Sequence, residues 1–396
     1  LPLVNRVRDR LKEWRQAGYP GATRTTLELL TYWRRDGRQH RLFFAQREAA
    51  ETIIFLTEGR RDLLQGIDVP ADEPSDAQKA ELGYRAFRRY GCKMATGSGK
   101  TTVMGLLAAW SILNKVHDRG NAAYSDTVLV VCPNVTIRSR LGELDPQQGA
   151  ASLYRTRDLV PEHLMQDLRK GRVLVTNWHV FEPHLVQMGG VSAKVSRAGV
   201  LRRTREHIHI GQKTTTARGK RYLTNDDYLR QVANGMLTVL DEATDRDGNL
   251  THAYVEAERF VESDAALVRR VLGIDAKKNL LVFNDEAHHA YRIRRDEPDP
   301  NEADLLGDED DAEDFYKEAT VWVDGLDRIH KLRGINACID LSATPYFLGR
   351  VGQDANRPFP WVVSDFSLTD AIESGLVKIP QLAVRDSTGA EIPGYF

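Results

Sequence analysis

Eight residues, Met94-Ala95-Thr96-Gly97-Ser98-Gly99-Lys100-Thr101, constrain this chain more than any other part of it. Glycine at 97 and 99 lets the backbone turn so tightly that successive N–H groups face one concavity, which a β-carbon at either position would obstruct. A concavity of that kind takes an anion. A helix opening near Thr101 would aim its positive end and its unbonded N–H groups at the same charge. Lys100 would then reach the β and γ phosphates of a nucleotide and Thr101 would offer its hydroxyl to Mg²⁺, with Thr96, Ser98 and Thr102 completing the phosphate-binding surface. The flanking pattern agrees, with a short, partly apolar strand over Arg88 to Met94 and then Val103, Met104, Leu106, Leu107 and Trp110 at helical spacing. ATP with Mg²⁺ is the expected ligand.

An ATPase also needs carboxylates facing the loop, one for the metal and one to polarise the attacking water. Leu280-Leu281-Val282-Phe283-Asn284-Asp285-Glu286-Ala287-His288 is an apolar run ending in two acids, which predicts a buried parallel strand delivering them at its carboxyl edge. Asp285 would serve Mg²⁺, and Glu286 would act as general base. Met236-Leu237-Thr238-Val239-Leu240-Asp241-Glu242-Ala243-Thr244 has the same outline. The later copy is preferred, because it carries His288 and is followed by Leu341-Ser342-Ala343-Thr344-Pro345, another apolar strand ending in hydroxyls. The earlier one runs into the polar turn Asp245-Arg246-Asp247-Gly248-Asn249 and is expected to be a strand of an insertion.

Together these motifs resemble the DEAD/DEAH-box helicases of superfamily 2, and most of all the motor (Res) subunit of type III restriction enzymes. Met94, where the general phosphate-loop pattern has glycine, is similar to the helicase version. Weaker matching stretches extend the resemblance over nearly the whole chain: Phe43 to Ala49, Val130 to Asn134, Val175 to His179, and Asp365 to Ala371. The resemblance implies that Gln46 reads the adenine edge, that Thr136, Arg138, Thr176 and Asn177 hold a nucleic-acid strand, and that His288, Ser342 and Thr344 couple nucleotide state to it. A surface helix glutamine and ordinary loop polarity are the plain alternatives. It further implies an enzyme that hydrolyses ATP to move on or remodel duplex DNA, with a methyltransferase subunit as partner. An RNA helicase or repair translocase shares the same core, and a nucleotide-gated DNA-binding scaffold without turnover is the reading of a different class.

Lys and Arg total 55 against 56 Asp and Glu, so nucleic-acid affinity has to come from a local patch. Between Lys194 and Arg221 lie Arg197, Arg202, Arg203, Arg205, Lys213, Arg218 and Lys220 with only Glu206 opposing them, which reads as a basic ribbon on DNA or as a solvated hairpin. Cys92, Cys132 and Cys338 are scattered singly, which fits reduced core thiols and excludes a clustered zinc site. No stretch is apolar for long enough to cross a bilayer, so a cytoplasmic protein is expected.

The expected fold class is α/β, a RecA-like lobe with a parallel sheet flanked by helices. Residues 1 to about 60 form a helical extension, and 61–380 form the lobe, with an insertion at about 185–275 and an acidic loop at about 296–314. Residues 381–396 read as a connector to a second lobe, so the sequence is expected to be a fragment that binds ATP but needs that lobe for efficient hydrolysis and a downstream region for DNA cleavage.

Overall fold

The computed structural model describes residues 1–74, 77–182, 184, 199–211, 221–275, 277–292, 309–347 and 357–378. The chain divides into two compact units, one from Leu1–Val180 with Lys277–Phe396 and one from Phe181–Ala276. In chain order the strands are β1 (Arg89–Met94), β2 (Thr127–Cys132), β3 (Arg172–Asn177), β4 (Gly199–Ile210), β5 (Arg221–Leu223), β6 (Leu237–Thr244), β7 (Leu250–Glu262), β8 (Leu280–Asp285), β9 (Ile335–Ser342) and β10 (Val362–Phe366). The helices that matter below are α1 (Pro2–Gln16), α2 (Arg24–Arg34), α3 (Phe44–Glu58), α4 (Lys100–His117), α5 (Val135–Leu141), α6 (Asn225–Ala233), α7 (Glu309–Arg333) and α8 (Leu368–Glu373).

The larger unit is α/β, built on a six-stranded, all-parallel sheet in the order β10-β1-β9-β8-β2-β3. The centre of the sheet follows from composition. Every residue of β2 and β8 is buried, as unbroken Val/Leu/Phe runs require when helices cover both faces. Because all six strands run the same way, their carboxyl ends share one edge. Register puts Lys93 beside Ser342, Met94 beside Phe366 and Asp285 beside Leu341 along that edge. Open parallel sheets bind ligands there.

Helices α1 to α3 follow from apolar spacing: α1 buries Val4, Val7, Leu11 and Trp14, and α2 buries Leu29, Leu30 and Trp33 behind an N-cap in which Thr23 accepts the Thr26 N–H. Trp14, Trp33 and Ile53 pack into the same apolar core as Cys92, Met94, Leu106 and Val130. Each such side chain contributes about 1.5–3 kcal/mol through burial. The three cysteines are free and buried, on β1, β2 and β9.

The smaller unit is a four-stranded sheet in the order β5-β4-β7-β6, antiparallel except where β5 pairs with β4. One face supplies its core, in which Ile208, Ile210, Leu237, Ala253, Val255 and Ala257 surround Tyr228 of α6. The run expected as an acidic loop at 296–314 needs one correction. Residues 296–308 lie outside the described residues, but 309–314 open the 25-residue helix α7. Acidic residues in a first turn favour that outcome, since they complement the helix dipole. The stretch read as a connector, 381–396, also lies outside the described residues. Among the described residues no helix is long and apolar enough to cross a membrane.

Candidate functional site

The glycine loop leaves β1 at the carboxyl edge of the sheet. Ala95 still donates its N–H to Phe366 O (2.9 Å), so the strand's pairing continues into the first loop residue. The turn closes as Ser98 brings both its N–H (3.1 Å) and its hydroxyl (2.6 Å) to Ala95 O. Gly97 and Gly99 have φ of +82° and +93°, in the left-handed region that a β-carbon disfavours. Gly99 is the N-cap of α4 and offers no side chain to cap it, and the first turn contains no acidic residue. The leading N–H groups of an 18-residue helix are therefore not answered by a capping side chain.

Gln46 reaches this loop from α3. Its Oε1 accepts the Phe43 N–H (3.1 Å) and its Nε2 donates to Ser98 O (3.0 Å). A β-carbon built on residue 99 would come within 2.1 Å of that Nε2, so any side chain there would displace the Gln46 amide from the loop as well as meet the unfavourable φ. Thr96 and Gly97 are exposed, Ser98 is buried, and Thr101 and Thr102 are half-buried.

Opposite the loop, β8 ends in Asp285 and the chain then turns through Glu286, whose φ of +51° and ψ of +49° are left-handed. A non-glycine residue in that region carries a strain of about 1–3 kcal/mol. The turn directs the Glu286 carboxylate at Lys100, and Lys100 Nζ is bonded to Glu286 Oε1. Asp285 is buried, and burial raises its pKa to about 6; Lys100 opposes the shift and Glu286 adds to it. Burial also pulls His288 down to about 4, with His289 acting the same way. A neutral imidazole at pH 7 leaves His288 Nδ1, 2.9 Å from Ser342 Oγ, free to accept the hydroxyl proton, while Ser342 Oγ accepts the Thr344 N–H (3.0 Å). His288 Nδ1 also lies 3.5 Å from Glu286 Oε2. Residues from four separate stretches of sequence, 46, 95–102, 285–288 and 342–344, thus meet at one sheet edge.

The nucleic-acid candidates divide between the two units. Thr136 and Arg138 are exposed on α5, which follows β2, and Thr176 and Asn177 end β3; all four belong to the carboxyl edge of the large sheet. Arg202, Arg203 and Arg205 belong to β4 of the smaller unit. Register sets Arg203 opposite Glu258 and Arg205 opposite Glu256, whereas Arg202 faces Arg259. The pairs across these two strands therefore combine opposite-charge and like-charge positions. Lys194, Arg197, Lys213, Arg218 and Lys220 lie outside the described residues.

Sequence reasoning missed a layer of charge beneath the site. Arg89 of β1 is buried between Asp340 of β9 (2.7 Å) and Asp72 (2.9 Å), and Arg292 pairs with Asp72 (2.8 Å) and, through two bonds, with Asp327 of α7 (2.6 and 2.7 Å). Its signal was a charged residue inside an apolar strand pattern, at Arg89 and again in Ala337-Cys338-Ile339-Asp340-Leu341. Among the described residues no cluster of three or more His, Cys, Asp or Glu could hold a metal ion alone. Compared with protein-family models and with curated protein sequences, the chain matches none.

Proposed function

We propose that the larger unit binds ATP with Mg²⁺ as the RecA-like first lobe of a superfamily 2 motor, similar to the Res subunit of type III restriction enzymes and acting on duplex DNA. The observation that carries the nucleotide reading is the Lys100–Glu286 pair, which links a left-handed glycine turn to the carboxylate end of a central parallel strand across 186 residues of sequence.

The residues suit both ligands. Triphosphate oxygens would replace the missing cap of α4 and take over Lys100 from Glu286. Magnesium characteristically uses one or two carboxylates plus substrate phosphates and water, so Asp285 with the Thr101 hydroxyl is a sufficient protein contribution. When bound, the ion neutralises charge on the phosphate oxygens. Glu286, released from Lys100, is then free to accept a proton from the attacking water. His288, packed beside Glu286, accepts the Ser342 hydroxyl proton, and Ser342 in turn accepts the Thr344 N–H, so hydrogen bonds join the end of the box to the next loop. The DNA assignment rests on the family resemblance together with the edge positions of Thr136, Arg138, Thr176 and Asn177.

Equilibrium binding of ATP to the wild-type chain and to Lys100→Ala tests the nucleotide reading. Loss of one charge-assisted contact should weaken affinity roughly 10- to 100-fold, and equal affinities would remove the cradle from the argument. ATP hydrolysis by a protein that includes the second lobe, measured beside duplex DNA, single-stranded DNA and RNA, tests the rest. Stimulation by duplex DNA supports the restriction-like motor, stimulation by RNA alone reassigns it to RNA helicases, and no turnover with any polymer leaves a nucleotide-binding scaffold.

A further inference from the structure

Behind Asp285 the strand is held by a side chain that points away from the site. Asn284 is fully buried, and its hydrogen-bonding groups are engaged: Nδ2 donates to Asp340 Oδ1 (2.9 Å) and lies 3.2 Å from Cys338 Sγ, while Oδ1 accepts the Trp322 indole N–H (3.0 Å). Asp340 in turn accepts from Arg89 Nε (2.7 Å) and from the Trp361 indole N–H (2.8 Å), and Arg89 donates to Ala290 O, just past the box. These bonds tie together three adjacent strands. Arg89 is on the strand that enters the glycine loop, Asn284 precedes the carboxylate residue Asp285, and Asp340 lies two residues before Ser342. The fourth element is α7, through Trp322.

From this geometry we infer that Asn284, held by Trp322 and Asp340, is the positioning residue that fixes the end of β8 and so aims the Asp285 carboxylate at its metal. A buried amide with every group bonded has one orientation, and the next residue along the strand inherits it. An apolar residue at 284 would keep the strand buried but leave the Trp322 N–H and an Asp340 lone pair without partners, so the polar residue is retained against the usual preference of a central parallel strand. Outer hydrogen-bond partners of metal-holding groups set metal affinity in this way. The inference rests on the nucleotide reading above, and it gives α7 a direct lever on the site: any shift of this helix moves the Trp322 anchor.

The test is Trp322→Phe, which deletes one N–H and keeps an aromatic ring in the core. ATP affinity is measured with and without Mg²⁺ on the whole chain, alongside Ile329→Val, which removes one methylene from a buried side chain farther along the same helix. We expect metal-free ATP affinity to stay at the wild-type level in both variants, and the Mg²⁺-dependent gain in affinity to fall roughly 10-fold in Trp322→Phe alone. A full Mg²⁺ gain in Trp322→Phe would overturn the positioning role and leave the nucleotide reading standing. An equal loss in Ile329→Val would reduce the effect to general destabilisation of α7 and overturn it too. A wild-type chain that binds no ATP would remove the nucleotide reading itself and this inference with it.

Discussion

Strand β6 and the stretch in which β8 ends carry almost the same letters, Leu-Asp-Glu-Ala and Asn-Asp-Glu-Ala, yet fold into opposite environments. Strand β8 lies at the centre of a parallel sheet with every residue buried, and its acids emerge at the carboxyl edge facing a lysine. Strand β6 is the edge of an antiparallel sheet, and most of it is exposed. There Asp241 turns back to accept the Glu242 N–H (2.9 Å), and Glu242 accepts the Tyr228 hydroxyl proton (2.6 Å). An Asp-Glu pair becomes chemistry only when desolvation and a facing cation perturb it, and local sequence carries neither.

The sharpest way to break this comparison is to neutralise each glutamate in turn. In a protein that includes the second lobe, Glu286→Gln should lower ATP turnover by about 10²- to 10⁴-fold with nucleotide binding retained, the range of a general base, while Glu242→Gln should leave turnover unchanged. Equal losses would mean that the wrong strand has been chosen.

A smaller effect comes from the charge on Asp285. Its carboxyl titrates near 6 in the folded chain against an ordinary 3.8, so the folded state binds this proton more tightly than the unfolded state. Stability gained from protonation is therefore complete below about 4 and lost as pH rises through 6. Above that, the buried charge costs about 3 kcal/mol. Asp285→Asn should accordingly melt higher than the wild type at pH 8 in metal-free buffer, with the gap closing towards pH 4. A gap that is constant with pH would show that the charge is already compensated. The smallest effect belongs to β6: Tyr228→Phe should cost about 1 kcal/mol in denaturant unfolding, the worth of one hydrogen bond, with ATP affinity unchanged.

The strands that carry the site were legible because their patterns are local. Unbroken apolar runs announced β2 and β8, and glycine spacing announced the loop and the start of α4. Strand β10 was not legible as a strand. Five residues, Val362-Val363-Ser364-Asp365-Phe366, pair only with β1 at the sheet's edge, and their identity depends on what lies 270 residues earlier rather than on their own periodicity. The Arg89–Asp340 layer escaped for the same reason, since each member alone reads as a charge misplaced in a strand and becomes sensible only once the sheet order brings them together. Gln46 was singled out for the adenine edge, and the sequence did not show that its amide also grips Ser98 O, a contact that only the packing of α3 against the loop creates.

The strand order also sets a timetable. Strand β1, which delivers the glycine loop, is flanked by β9 and β10, so the ribosome must add about 240 more residues before its first partner exists. At about 5–20 residues per second that is a wait on the order of ten to fifty seconds, during which this strand has both edges unpaired. Newly made chains should therefore depend on protection by chaperones, and the glycine loop gains a fully paired stem only after β9 and β10 have been made and have closed around β1.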